Sequence, residues 1–125
     1  MLSKAKMVKA RKAIESLYDG ICTVTEHKKM KKDNGSTGFT DVVVLEDQPC
    51  RISYKTIQST NQSDNGGSTV VQATMLFISP DVVIPTGSKI TVTQHGQSAD
   101  YQMSGKPAMY QTHQEIILDL FRKWA

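Results

Sequence analysis

Residues 70–103, VVQATMLFISPDVVIPTGSKITVTQHGQSADYQM, contain three strand-like segments separated by two turn signals. The first, residues 70–79, is rich in β-branched and aromatic residues and is the strongest predicted strand. Residues 80–87 carry two prolines and a glycine, which predict a turn-rich connection. Residues 89–94 and 99–103 then flank His95-Gly96, a pattern that predicts a β-hairpin.

Strand-like segments also precede this stretch. Residues 21–28 alternate threonine with other residues, and residues 39–45 are rich in valine. Pro49 interrupts the second segment, after which Cys50, Ile52 and Tyr54 alternate with polar residues. A proline there fits an edge, a bulge or the start of a new strand. Short strands separated by turn signals predict a mainly β fold, either a small antiparallel barrel or a sandwich.

The N-terminal segment has a different, helical pattern. Residues 3–17 are good helix formers, and Ser3 is a suitable N-cap. The apolar side of this predicted helix is thin and alanine-rich, with Met7, Ala10, Ala13, Ile14 and Leu17. Such a helix is expected to pack against a larger body. Taken together, the patterns predict one domain, with a helical segment at 1–19 and a β-rich body, barrel or sandwich, at 20–125.

Two polar segments are predicted to be loops. Residues 27–38, HKKMKKDNGSTG, form a charged loop tip with a turn at Asn34-Gly35. Residues 58–68, QSTNQSDNGGS, contain no apolar residue and are typical of a long mobile loop or a hairpin tip.

Residues 112–124 allow two interpretations. Thr112 and Glu115 form a capping-box pattern, and the apolar residues that follow fall at helical spacing. Ile116, Leu118 and Leu120 also alternate, as they would in a closing strand. Periodicity alone slightly favours a helix.

Composition excludes several classes of protein. The chain has 125 residues and a net charge of +3, which suits one modest domain. It has neither an apolar run of about 20 residues, as a membrane span needs, nor the apolar stretch of a secretory signal, so we expect an intracellular protein. Two cysteines are too few for a disulfide scaffold. The charge is uneven, because residues 1–32 hold nine basic and three acidic side chains, whereas the remainder is mildly acidic.

No catalytic or metal-binding pattern is present in the sequence. The three histidines lie apart in loop-like contexts, and neither Cys22 nor Cys50 has a companion at zinc-ligand spacing. No nucleophile elbow or phosphate-binding loop occurs, and the adjacent Glu46 and Asp47 would point to opposite faces of a strand. We therefore expect no enzymatic activity, cofactor, metal or small-molecule substrate.

The lysines leave nucleic-acid binding open as an alternative. Small barrels often bind single strands through exposed aromatic residues beside basic grooves. Here the aromatic residues are scattered, and no known recognition signature appears. Non-specific phosphate contact is the better-supported form of this alternative, since the charge interaction needs no particular fold.

Nearly the whole chain resembles a small protein of tailed bacteriophages and of prophages of Gram-positive bacteria. The resemblance is carried by the segments PCRISYKTI, QATMLFISPDVVIPTGSKITVT and DYQMSGKPAMYQTHQEIILDLFRKWA, together with the front KAKMVKARKAIESLYDGICTV. It points to the head–tail connector group, of the head-closure (stopper) or minor capsid type. It implies a small antiparallel β-barrel of five to seven strands, with an N-terminal α-helix, long polar loops and a closing strand at residues 115–123.

The resemblance also implies a function. Such proteins form a homo-oligomeric ring below the portal and adaptor, help to close the DNA channel after packaging and dock the tail. The expected partners are therefore other copies of the chain, with a dodecamer as one candidate stoichiometry, the portal or adaptor ring, the tail-completion protein and, non-specifically, packaged double-stranded DNA. The expected location is the head–tail joint of the virion, and the bacterial cytoplasm during assembly. Stopper, adaptor and tail-completion roles all remain open, and no membrane contact is implied.

Three groups of residues are candidates for these contacts. Those for phosphate or channel contact are Lys28, Lys29, Lys31 and Lys32. Those for a gating loop are Gln58, Ser59, Thr60, Asn61, Gln62, Ser63, Asp64, Asn65, Gly66, Gly67 and Ser68. Those for contact with a neighbouring subunit or ring are Lys4, Lys9, Arg11, Lys12 and Trp124.

Overall fold

Seven antiparallel strands form one sheet that closes on itself in the computed structural model, which describes residues 3–59 and 69–124. The elements are α1 (Lys4–Glu15), β1 (Gly20–Lys31), β2 (Thr37–Ser59), β3 (Thr69–Ile78), β4 (Lys89–Gln94), β5 (Gln97–Met103), β6 (Ala108–Met109) and β7 (Gln114–Leu120). The strand order is β3-β2-β1-β4-β5-β7-β6, and pairing of β3 with β7 closes the ring. The predicted mainly β barrel with an N-terminal helix is confirmed.

The barrel interior is apolar and is supplied by alternate residues of the strands. Its buried hydrophobic residues are Cys22, Val24, Cys50, Ile52, Leu76, Ile78, Ile84, Ile90, Val92, Ile116 and Leu118. In β3 the buried residues are Leu76 and Ile78, whereas Met75 and Phe77 are half-buried on the other side of the strand. A period of two places one face of each strand inside and the other outside.

The predicted interruption at Pro49 does not occur, because β2 is one continuous strand of 23 residues. Pro49 lies opposite Ile21 of β1, and pairing with β3 begins only at the next residue, Cys50. The proline therefore lies on an edge of β2 that needs no donor. Asp47, with φ at 51°, and the register shifts in the β1–β2 ladder mark a nearby irregularity that lets β2 bend.

The predicted charged loop at residues 27–38 is instead most of a regular β-hairpin. The last β1–β4 pair is Thr25 with Lys89, after which β1 pairs with β2 alone. We call this projecting hairpin, residues 26–42, the lysine arm. The predicted turn is present near its tip, where Gly35 has φ at 85° and donates its N–H to the carbonyl of Lys32. Within residues 3–59 and 69–124 no third strand pairs with these two segments, so they form a two-stranded ladder of their own.

A second hairpin extends from the other half of β2. The β2–β3 ladder continues to the pair Ser59 with Thr69, well past the last β3–β7 pair, Thr74 with Leu118. Gln58 and Ser59, which were predicted to begin a gating loop, therefore end β2. Residues 60–68 of that predicted loop lie outside the described residues.

The C-terminal segment is a strand, so the helical interpretation of residues 112–124 is wrong over Gln114–Leu120. β7 pairs with β3 on one side and with β5 and β6 on the other. Ile116 and Leu118 are buried, as the alternation allows. Helical spacing and strand alternation both fit these residues, and the pairing partners on both sides favour the strand. The closing strand implied by the resemblance is confirmed for these residues.

Helix α1 is attached to the outside of the barrel by few contacts. Ser3 is its N-cap and accepts a hydrogen bond from the Lys6 N–H at 3.2 Å, as predicted. No residue of the helix is buried. The main attachment is Arg11, whose guanidinium lies 2.8 Å from an Asp81 carboxylate oxygen and donates to the Gln111 carbonyl at 3.1 Å.

The side chain of Gln94 completes the β2 ladder at the point where β1 no longer runs beside it. β1 begins at Gly20, opposite Cys50, so Ile52 has no partner in β1. The Gln94 side chain takes that place, since Oε1 accepts from the Ile52 N–H at 2.7 Å and Nε2 donates to the Ile52 carbonyl at 3.2 Å. The turn that follows, His95-Gly96, has φ of 53° and 75°, which confirms the predicted hairpin.

We expect Gln94→Ala to lower the free energy of unfolding by about 1–3 kcal/mol, because it leaves two backbone groups of a buried residue without partners. Urea denaturation followed by circular dichroism measures the change. Gln97→Ala is the matched control, since Gln97 is exposed at the start of β5 and should cost less than about 0.5 kcal/mol. Equal losses in the two variants would contradict this role of Gln94.

Candidate interaction site on the lysine arm

The lysine arm is a two-stranded ribbon with different chemistry on its two faces. Directly opposed residues of an antiparallel pair share a face, and successive residues alternate. One side, which we call the aromatic face, carries His27, Lys29, Lys31, Thr37, Phe39 and Asp41. The other side, the methionine face, carries Glu26, Lys28, Met30, Lys32, Gly38, Thr40 and Val42. The four candidate lysines are thus divided between the two faces.

A stack of three rings forms the base of the aromatic face. The His27 ring lies between Phe39 and Trp124, with ring centroids 4.7 and 4.9 Å apart and planes within 10° of parallel. His27 Nδ1 also lies 2.9 Å from the Asp41 carboxylate, its cross-strand partner. These contacts fix the orientation of the histidine and hold Trp124 against the arm.

The segment after β7 brings Trp124 to this position. The Phe121 N–H donates to the carbonyl of Asp100 at 3.0 Å, and the Phe121 and Trp124 rings meet edge to face at 4.9 Å. Lys89 Nζ lies 5.8 Å from the centroids of both rings, within the range of cation–π attraction. Trp124, a candidate for contact with a neighbour, is therefore half-buried within its own chain.

The lysines on the methionine face are engaged within the arm. Lys28 Nζ lies 3.3 Å from a Glu26 carboxylate oxygen. The Lys32 side chain lies over Gly38, at the place where a Cβ atom would project, and Gly38 is buried. By contrast, Lys29 and Lys31 are exposed and form no ion pair among residues 3–59 and 69–124. Of the three arm lysines without an ion pair in these ranges, Lys29 and Lys31 lie on the aromatic face and Lys32 lies on the methionine face.

The remaining candidate residues lie on other elements. Lys4, Lys9 and Lys12 are exposed on α1, and Arg11 is paired with Asp81. Gln58 and Ser59 lie at the end of β2. The structure therefore brings Trp124, but none of the candidates on α1, to the lysine arm.

His27, Phe39 and Asp41 contribute to this site although no motif singled them out. The alternation of HKKMK offers a weak signal, because it places His27, Lys29 and Lys31 on one side if the segment is a strand. Nothing in the sequence indicates that Trp124 packs on His27.

The two cysteines lie in the barrel core and offer no reactive thiol at the surface. Cys22 and Cys50 are free and almost completely buried. A side-chain hydrogen bond with Cys22, followed by burial, raises the pKa of the Cys50 thiol. A buried thiol with a raised pKa is a poor nucleophile.

A polar cleft of about 300 Å³ lies between β2 and the β4–β5 hairpin. Tyr54 and Tyr101 line it beside Gln94, and burial, followed by interaction with Tyr54, raises the pKa of the Tyr101 hydroxyl. His95 and Ser98 also line the cleft; His95 Nε2 is hydrogen bonded to the Asp19 carboxylate, and the Ser98 hydroxyl to that of Thr93 at 2.6 Å. The cleft is thus lined by side chains that can donate and accept hydrogen bonds.

Residues 3–59 and 69–124 contain neither a metal-ligand cluster nor a helix that could span a membrane. In these ranges no three side chains of His, Cys, Asp or Glu converge as metal ligands would. None of the helices described there has the length and apolarity to cross a membrane.

Comparison with known proteins gives one weak structural likeness. No protein-family model matches the chain, and no curated protein matches it. The structure of the phage-like element PBSX protein xkdH from Bacillus subtilis is similar, with a TM-score of 0.47 and 13% sequence identity. The alignment covers 80% of this chain and 91% of that chain. A likeness of this degree carries no argument about function.

We expect His27→Ala to release Trp124 from the arm, because it removes the ring between Phe39 and Trp124. Trp124 is the only tryptophan in the chain, so its fluorescence emission should shift to longer wavelength as the indole becomes exposed to water. Loss of two ring contacts should also lower the free energy of unfolding by about 1–3 kcal/mol.

His95→Asn is the control for this change, since His95 lies in an exposed turn and asparagine tolerates its positive φ. Its emission should match that of the unmodified chain. An unchanged spectrum in His27→Ala would show that the stack does not hold the indole.

Proposed function

We propose that this chain is a non-enzymatic structural protein of tailed bacteriophages or prophages, which forms a homo-oligomeric ring at the joint between head and tail. The ring would lie below the portal or adaptor, help to close the DNA channel after packaging and dock the tail. Among the related connector roles, we favour the head-closure (stopper) type. Support comes from the resemblance of nearly the whole sequence and from the architecture described above.

The observation that carries the proposal is the closed barrel with two hairpins that project from the two halves of β2. A closed barrel is a rigid body with few free edges of its own. The projecting hairpins have outer backbone edges without a neighbouring strand in the described chain, in the lysine arm and in β2 beyond Cys50. Such edges are suited to pairing with strands of other chains.

The segments that carry the resemblance coincide with the barrel strands. PCRISYKTI lies in β2, QATMLFI lies in β3 and KITVT lies in β4. DYQM and QEIILDL correspond to β5 and β7. The resemblance therefore concerns the residues that build the barrel, which is the part that a ring subunit needs.

A ring of such subunits would act through shape and repeated contact. Each interface between subunits need only be modest, because many weak contacts add when the ring closes. Exposed lysines of the arm would contact the phosphates of packaged double-stranded DNA without recognising its sequence. Assembly would take place in the bacterial cytoplasm, and the mature location would be the virion.

A second candidate function, binding of single-stranded nucleic acid, is favoured by one observation. Phe39 is 57% exposed, lies opposite Lys29 and continues the stack that begins at Trp124 and His27. An exposed ring beside lysines is the arrangement on which bases stack.

The proposal is tested by deleting the gene from the phage or prophage that encodes it. Electron microscopy should then show heads and tails that are present but not joined. Addition of the purified protein to the separated particles should restore joined virions. Normal joined particles from the deletion strain would overturn the connector function.

The nucleic-acid alternative is tested with the free protein and labelled single-stranded DNA. It requires tight, strongly salt-dependent binding that is lost in the variant with glutamate at Lys28, Lys29, Lys31 and Lys32. A connector is expected to bind weakly or not at all. Circular dichroism of the variant shows whether the fold is kept.

A further inference from the structure

We propose that the aromatic face of the lysine arm docks onto an acidic strip formed by β5 and β7 in a second copy of this chain. The inference rests on the proposed ring, since it names the contact by which one subunit would bind the next. The proposed partner is another copy of the chain, because the arm carries cations and the strip carries carboxylates.

The arm supplies two free cations around an exposed ring. Lys29 and Lys31 point from the same face of β1, and Phe39 lies directly opposite Lys29. Phe39 is 57% exposed although it stacks on His27, so its outer side remains open. An exposed aromatic ring with flanking cations is typical of the centre of an interface.

The acidic strip consists of Asp100, Gln102, Ile117 and Asp119 on the outside of the barrel. Gln102 and Asp119 are opposed in the β5–β7 ladder, and Asp100 lies two residues before Gln102 on the same face. Ile117 is 44% exposed within the strip, and Leu120, at the end of β7, is 66% exposed. Carboxylates beside exposed apolar side chains match the composition of the arm.

The carboxylates of Asp100 and Asp119 are available for contact with another chain. Thr91 donates its hydroxyl to one oxygen of Asp100 at 2.7 Å, and neither Asp100 nor Asp119 forms an ion pair in the described ranges. Arg122 lines a shallow cleft with Asp119 but lies beyond ion-pair distance. Lys89 lies on the same outer face, two residues before Thr91, but its Nζ lies by the Phe121 and Trp124 rings, 5.8 Å from each centroid, and forms no ion pair in these ranges.

The spacing of the charges agrees on the two surfaces. Residues two apart on a strand are separated by about 7 Å, which is the distance expected between Lys29 and Lys31. Asp100 and Asp119 are diagonal neighbours across the β5–β7 pair, and such neighbours lie about 7–8 Å apart. Both lysines can thus meet a carboxylate at once, while Phe39 approaches Ile117.

The two surfaces belong to different strand pairs, and the segment after β7 connects them, since Phe121 is hydrogen-bonded to Asp100 and Trp124 stacks on His27. Around the closed sheet, β4 separates β1 from β5 and β3 separates β2 from β7. A contact between two different surfaces joins copies head to tail, and such contacts form rings when the rotation closes. A twofold dimer would need one surface to match itself, and neither surface does so in charge.

The test uses two variants that each disable one surface. In sedimentation velocity runs up to about 1 mM protein at low salt, the unmodified chain should form species larger than a dimer. Lys29→Glu with Lys31→Glu should stay monomeric, and so should Asp100→Lys with Asp119→Lys. An equimolar mixture of these two variants should again form species larger than a dimer, because the unmodified lysines of one variant meet the unmodified carboxylates of the other, and the introduced glutamates meet the introduced lysines.

The matched control reverses the same amount of charge on the methionine face. Lys28→Glu with Lys32→Glu leaves the aromatic face intact, so this variant should associate like the unmodified chain. Association should weaken as salt is raised, since the charges are exposed. Thermal melting of each variant verifies that the barrel is folded.

Three results would overturn the inference: an unmodified chain that is monomeric throughout, association that survives either paired reversal, or a mixture that stays monomeric. The connector function has a separate test, since deletion of the gene leaves heads and tails unjoined whichever surfaces the subunits use. A salt-dependent affinity of Lys29 and Lys31 for DNA, with self-association unchanged by their reversal, would assign the aromatic face to nucleic acid instead.

Discussion

The change of partner along β2 is the constraint on which the rest of this structure depends. One continuous strand pairs with β1 through its first half and with β3 through its second, and the exchange takes place at Cys50. Backbone N–H and C=O groups that no longer pair with a neighbouring strand must form hydrogen bonds with other groups or remain exposed to water. Gln94 satisfies the first position after the exchange, and the positions farther out become the edges of the two projecting hairpins.

Elements with local turn chemistry could be predicted from the sequence. The hairpin at His95-Gly96 and the N-cap at Ser3 are set by neighbouring residues, so a short window contains the cause. The strand β7 could not be predicted in this way, because Ile116 and Leu118 fit a helical stripe as well as an alternating strand. Its pairing with β3 and β5 decides between them, and those partners are distant in the sequence.

The candidate site was predictable in composition but not in arrangement. The lysines near residue 30 are visible as a cluster, whereas their division between two faces appears only once the segment is known to be a strand. That division separates Lys28, which is paired with Glu26, from Lys29, which is free. The placement of Trp124 on His27 depends on the path of the chain after β7, and no local pattern encodes that path.

The burial of both thiols has a consequence for the conditions that the protein can withstand. A virion protein, as proposed here, is made in a reducing cytoplasm and then carried into oxidising surroundings outside the cell. Because Cys22 and Cys50 are enclosed by the barrel wall, water-soluble oxidants reach neither sulfur while the barrel stays closed. Oxidation of either core cysteine therefore requires the barrel to open first.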